Sequence, residues 1–192
     1  MKKIVFFLGT LCTVLALALL AHAHEAHEHG AAKLNIAVDG ARVSIALESP
    51  LANLLPFEHS PATLEQQTQV KDIARRMYQA ERLFQLTPAA ECSLEKVMLA
   101  SEKLSAGMLD PNAPPDFAQD GGGYTGHKAD KEEHGDLDAD FAFTCAKPEK
   151  LNSVDVLLFA AWPKLKKIAV QAITPKGQRA ASLSVKKHVM SW

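Results

Sequence analysis

The chain has 192 residues, 47% of them apolar and 22% charged, with a formal net charge of −1. This is an ordinary globular composition, which argues against disordered, collagen-like and multi-span membrane classes. Near-neutrality gives no sign of a nucleic-acid partner, because there is no cationic excess to neutralise phosphates.

The amino end reads as an address rather than as structure. Met1-Lys2-Lys3 is basic, Ile4 to Leu20 carries no charge, and Ala21-His22-Ala23 puts small residues where a signal peptidase reads. The pattern predicts a secretory signal peptide over 1–23, cleaved after Ala23, with cleavage after Ala21 or a retained anchor as alternatives. Leu11 is too bulky for a lipid-attachment site at Cys12, and the apolar run continues past it. Residues 24–192 are then one exported domain, free of the membrane once the signal is removed. Two cysteines remain in it, Cys92 and Cys145. In an oxidising compartment an even number favours a disulfide, worth about 3–4 kcal/mol on the loop-entropy model. Two free thiols or a metal-ligand pair are the other readings.

His24 to Ala32 reads as an N-terminal arm. Leu34, Ile36 and Val38 alternate with polar or small residues, as do Val43, Ile45 and Leu47. Asp39-Gly40 between them predicts a two-residue hairpin turn that pairs Ile36 with Val43 and Leu34 with Ile45. Ser49 to Pro61 is a proline-bearing connector. A helix should follow, opened by the capping-box spacing Thr63-x-x-Gln66 and striped by Val70, Ile73, Ala74, Met77, Ala80 and Phe84. Thr87-Pro88 should end it. Cys92 to Leu104 reads as a long strand whose apolar phase slips between Leu94 and Val97, the sign of a bulge.

Ser105 to Asp136 is rich in proline, glycine and acidic residues and reads as a long flexible loop. Leu137, Ala139, Phe141, Phe143 and Cys145 alternate without a break. Ser153 to Trp162 is a strand, or a strand running into a helical turn. Ile168, Val170 and Ala172 face Ala181, Leu183 and Val185 across Pro175-Lys176-Gly177, a final hairpin. The fold class is α+β: an antiparallel sheet of about six or seven strands, with one main amphipathic helix on one face.

Histidines carry the chemistry. His24, His27 and His29 fall in the arm, beside His22 of the cleavage region; His127 and His134 fall in the acidic loop. Neutral imidazole is a common ligand of zinc, copper and nickel, and a pliable segment can wrap several donors around one ion. Glu25, Glu28, Asp130, Glu132 and Glu133 can complete a shell or orient a ligand imidazole. Cleavage after Ala21 would put His24 third in the chain, a position that suits square-planar Cu(II) or Ni(II). The opposing reading is a solvated terminus and a hydrated charged loop. His59 alone reads as a hydrogen-bonded structural histidine and His188 as a surface one. Hydrolase, zinc-protease, phosphate-loop and dinucleotide motifs do not occur, so an enzyme is not expected.

The stretches HEHGAAKLNIAVDG, LESPLANLLPFEHSP and AECSLEKV, and the run from DLDADFAFTC to GQRAASL, together resemble the ZrgA-like family of periplasmic, zinc-regulated proteins. The similarity spans about 30 to 185. It implies a periplasmic Zn²⁺-binding protein that supports zinc uptake alongside an ABC-type importer, and no catalytic activity. His27, His29 and Gly30 match the family's His-x-His-Gly; Phe57, Glu58 and His59 match its Phe-Glu-His; Cys92 and Cys145 match its paired cysteines. The arm and loop histidines together with these matches give the expected metal set: His24, His27, His29, His127 and His134, with His59. The loop departs from the family's dense His/Asp tract, keeping only His127 and His134. Two rivals stand beside this reading: a structural or interaction module of the cell envelope with incidental histidines, and a copper- or nickel-handling protein.

Overall fold

The computed structural model describes residues 28–113 and 135–192. The expected signal peptide, the arm histidines His24 and His27, and the loop histidines His127 and His134 lie outside the described residues.

Strand β1 (Ala31–Asp39) and strand β2 (Arg42–Pro50) form the expected hairpin. Its register differs from the sequence expectation. Val38 faces Val43, Ile36 faces Ile45 and Leu34 faces Leu47, so the turn is Gly40-Ala41, with Gly40 at φ +55°. The slip is two residues, an even step, so every apolar side chain keeps its face. It brings the large apolar residues opposite one another along the whole ladder, which the shorter register would not.

Helix α1 (Leu51–Leu54) is a single turn, and helix α2 (Leu64–Met77) carries the capping box, with the Thr63 side chain accepting from Gln66. Helix α2 stops earlier than the apolar stripe suggests. Ala80 sits in a 3-10 turn and Phe84 in β3 (Phe84–Leu86), which pairs with β6 (Ser153–Val156). Phe84 and Leu86 are buried there on one side of an extended segment, so tertiary pairing overrides a helical phase that continues by coincidence.

Strand β4 (Cys92–Ala100) pairs with β5 (Asp136–Cys145) and has the expected bulge between Leu94 and Lys96. It ends before Leu104. The segment expected to be loop from Ser105 opens instead with a helical turn, α3 (Ala106–Leu109), which Leu109 anchors in the core. Beyond β6, the ambiguous segment resolves into the short helix α4 (Leu158–Ala161). Strands β7 (Lys167–Thr174) and β8 (Gly177–Leu183) make the final hairpin, Val185 lying past its end, and β9 (Val189–Ser191) pairs with β6.

The class is α+β, with two sheets. The larger has the order β4-β5-β2-β1-β7-β8 and is mixed, since β1 and β7 run parallel; the smaller is β3-β6-β9. One face of the large sheet, with Leu34, Ile45, Leu137, Phe141 and Ile168 almost fully buried, is covered by α2 and the small sheet. The rings of Phe84 and Phe141 meet at 5.0 Å between the layers. Each such side chain contributes about 1.5–3 kcal/mol by leaving water. Among the described residues nothing covers the other face, where Ala37, Ala46, Met98 and Ile173 lie along a shallow trough of about 540 Å³.

Cys92 and Cys145 are disulfide-bonded and are direct partners in the β4/β5 ladder. The bridge closes the end of the sheet that carries the β1/β2 turn, where Cys145 donates to the Ala41 carbonyl. The opposite end gathers the starts of β1, β5 and β7 and the ends of β2 and β4.

Candidate metal centre

At that opposite end the chain leaves β2 through Pro50, makes the single turn α1, and runs out through Leu55 and Phe57 to Glu58 and His59. Leu51, Leu55 and Phe57 point inward and are buried, which fixes the run against the core. The Lys164 ammonium donates to the Leu55 carbonyl at 2.9 Å and holds the connector from the other side. Phe57 inward and His59 outward leave Glu58 at the edge, its side chain 18% exposed.

The carboxylate of Glu58 meets the arm. His29 Nε2 stands 3.4 Å from Glu58 Oε2, with the His29 side chain 58% exposed. Two donors on a tetrahedral zinc, each about 2.0–2.1 Å from the ion, stand about 3.3 Å apart. The nitrogen and oxygen are thus already at the spacing of two ligands on one such ion, in a position that water and ions reach.

The acidic loop rejoins the body at the same place. The Gly135 carbonyl accepts from Leu51 N–H at 2.7 Å. A Cβ on Gly135 would lie 2.8 Å from the Glu58 carbonyl oxygen and 2.6 Å from Lys103 Cγ, so only glycine permits this approach. His134 is therefore covalently next to a residue packed against Glu58, although its own side chain lies outside the described residues.

Negative charge collects beside this junction. Asp136, Asp138 and Asp140 alternate along β5, and Glu48 faces Asp138 across the β2/β5 ladder. Burial raises the Asp138 carboxyl above its ordinary range, and repulsion from Glu48, Asp136, Asp140 and Glu102 adds to it. Lys33, 3.2 Å from Glu48, offsets part of the field.

Of the residues singled out in the sequence, His29 meets Glu58, and Cys92 and Cys145 are bonded to each other. His59 is exposed; its Nδ1 lies 2.9 Å from the Ser60 carbonyl and its ring stacks on Phe57 at 5.2 Å. His188 pairs with Asp155 at 2.5 Å, which ties the approach to β9 onto β6. Among the described residues no three His, Cys, Asp or Glu side chains gather closely enough to hold a metal ion by themselves. The sequence reading missed Glu58 as the partner of His29. Its signal was present, since Glu58 immediately precedes His59 within the LANLLPFEH run.

Among the described residues no helix is long and apolar enough to cross a membrane. No curated protein matches the chain. A family model described as "ZrgA family zinc uptake protein" matches residues 26–192, which takes in both edges of the His29–Glu58 junction and the whole of both sheets. The chain belongs to the ZrgA family of zinc uptake proteins.

Proposed function

We propose that the protein is a periplasmic, non-catalytic zinc-binding component of zinc uptake. It captures Zn²⁺ through histidines of the arm and the acidic loop and hands the ion to an ABC-type importer. The observation that carries this reading is the junction of His29 with Glu58 at 3.4 Å, placed where both histidine-bearing segments join the sheet. His29 and Glu58 supply the fixed first donors; His24, His27, His127 and His134 arrive on the flanking segments and complete the shell, with His59 beside it. Export through a signal peptide over 1–23 fits the disulfide, since such bonds persist in oxidising compartments.

A shell whose donors come from separate stretches of the chain, around an imidazole that is itself 58% exposed, is suited to release as well as capture. The acidic row on β5 draws cations toward this end of the sheet without enclosing them. Protons compete for the imidazoles, so affinity falls as the pH drops below about 6.5.

Calorimetric titration of residues 24–192 with zinc tests this. The expected result is binding at neutral pH that weakens sharply when His24, His27, His29, His127 and His134 are changed together to alanine. Unaltered affinity in that variant refutes the ligand assignment. Preferential binding of Cu²⁺ or Ni²⁺, seen as visible d–d absorption, refutes the assignment of the metal.

A further inference from the structure

We propose that Asn53 is a positioning residue for cation capture, holding the backbone from which His29 reaches Glu58. The proposal rests on the reading of the His29–Glu58 junction as a metal centre.

Asn53 sits in α1 and is 2% exposed, an uncharged polar side chain set among leucines. Its amide oxygen and nitrogen are committed to three neighbours. Its Oδ1 accepts from Gly30 N–H at 2.7 Å, and its Nδ2 donates to the Ala31 carbonyl at 2.8 Å and to Ser49 Oγ at 3.2 Å. The reason such a group is needed lies one element earlier. The β1/β2 ladder ends at the pair Lys33 and Glu48, and Pro50, the last residue of β2, has no N–H with which to carry it on toward Ala31. The side-chain amide of Asn53 offers the acceptor and donor that a continuing strand would have offered, and so extends the ladder to Gly30.

Gly30 is gripped from the other side as well. Its carbonyl accepts from Lys166 N–H at 2.7 Å and from Lys167 N–H at 3.0 Å, and its φ of +85° is one that glycine adopts without strain. His29 is the next residue. Its Cα is therefore anchored by the residue that follows, since Gly30 has its N–H held by Asn53 and its carbonyl held by the entry to β7. Glu58 lies on the same connector as Asn53, so one short segment both places the imidazole and supplies its partner. Without the Asn53 amide, Gly30 N–H and Ala31 C=O would lose their partner, and His29 would leave Glu58 for solvent. A ligand pair assembled beforehand avoids the ordering that a loose pair must undergo on binding.

Two measurements on residues 24–192 test this. In metal-free protein, the imidazole resonances of His29 should shift when Glu58 is changed to Gln, and that response should vanish in Asn53→Ala. In zinc titrations, Asn53→Ala should weaken binding about 10-fold, the scale of losing a group that orients a metal ligand. It should cause no further loss in a His29→Ala background. A His29 response to Glu58→Gln that survives Asn53→Ala overturns the proposal. So does an equal loss of affinity with and without His29, which would mark Asn53 as merely structural. If Asn53→Ala does not fold, Ser49→Ala, which removes one acceptor of the Asn53 amide and leaves its side chain, carries the same test. An undiminished His29 response there overturns the proposal too. Failure of the unsubstituted protein to bind zinc removes the proposed function, and the metal-free spectra tell that outcome apart from a failure of positioning.

Discussion

Glu58 and Asp138 are carboxylates at the same end of the sheet with opposite surroundings. Glu58 faces an imidazole, whereas Asp138 faces Glu48, Asp136, Asp140 and Glu102. Because the folded state raises the Asp138 pKa above its ordinary value of 3.8, the native protein holds that proton longer than the unfolded chain does. Between the two values the native state binds more protons, so stability falls as the pH rises through that window and stays lower above it. Asp138→Asn should therefore raise the denaturation midpoint at neutral pH and flatten its dependence on pH above the ordinary carboxyl value of 3.8. A midpoint that drops at neutral pH would show the carboxylate to be stabilising instead. Little of this was open to the sequence. The alternation Asp136, Asp138, Asp140 was visible, but the opposing Glu48 comes from a strand far away in the chain. Asn53 reads as an ordinary polar connector residue until the Gly30 N–H and the Ala31 carbonyl are seen to find their partners in its side-chain amide.

At the scale of elements, local signals were read well and long-range ones poorly. The Thr63/Gln66 capping box needs only neighbouring residues, and it forms as the spacing suggests. Thr63→Ala should lower stability by about 1 kcal/mol, read by chemical denaturation. No change would mean that tertiary contacts alone hold the first turn of α2. The β4 bulge and the unbroken alternation of β5 were equally legible, since each is a phase within one strand. The end of α2 was not, because Phe84 falls in helical phase with Met77 and is claimed by β6, some seventy residues on. The β1/β2 register slipped because the Asp39-Gly40 signal competes with apolar pairing over the whole ladder, and the ladder wins. His29 was identified as a donor from composition, but its meeting with Glu58 depends on how α1 turns the connector back.

For the whole molecule, the cysteine count was enough to expect the Cys92–Cys145 bond, and its place in the architecture separates two properties. It closes the end of the sheet away from His29 and Glu58. Replacing both cysteines with serine should cost about 3–4 kcal/mol of stability and leave zinc affinity unchanged while the protein is folded. Affinity lost together with the bridge would mean that the two ends are coupled. The mixed character of the sheet was beyond reach of the sequence, since parallel partners share no turn that could announce them. That one parallel pairing has a consequence for how the molecule comes into being. The first strand made waits for one of the last: Ala31 meets Lys167, and the same entry to β7 supplies the amides that secure Gly30. During synthesis a chain can build β1, β2, β4 and β5 and still lack the seat on which His29 rests. The geometry around that histidine is thus a late acquisition, present only once the chain has been made as far as β7, and such distant closure is slow. A half-made chain carries the imidazole with nowhere to hold it.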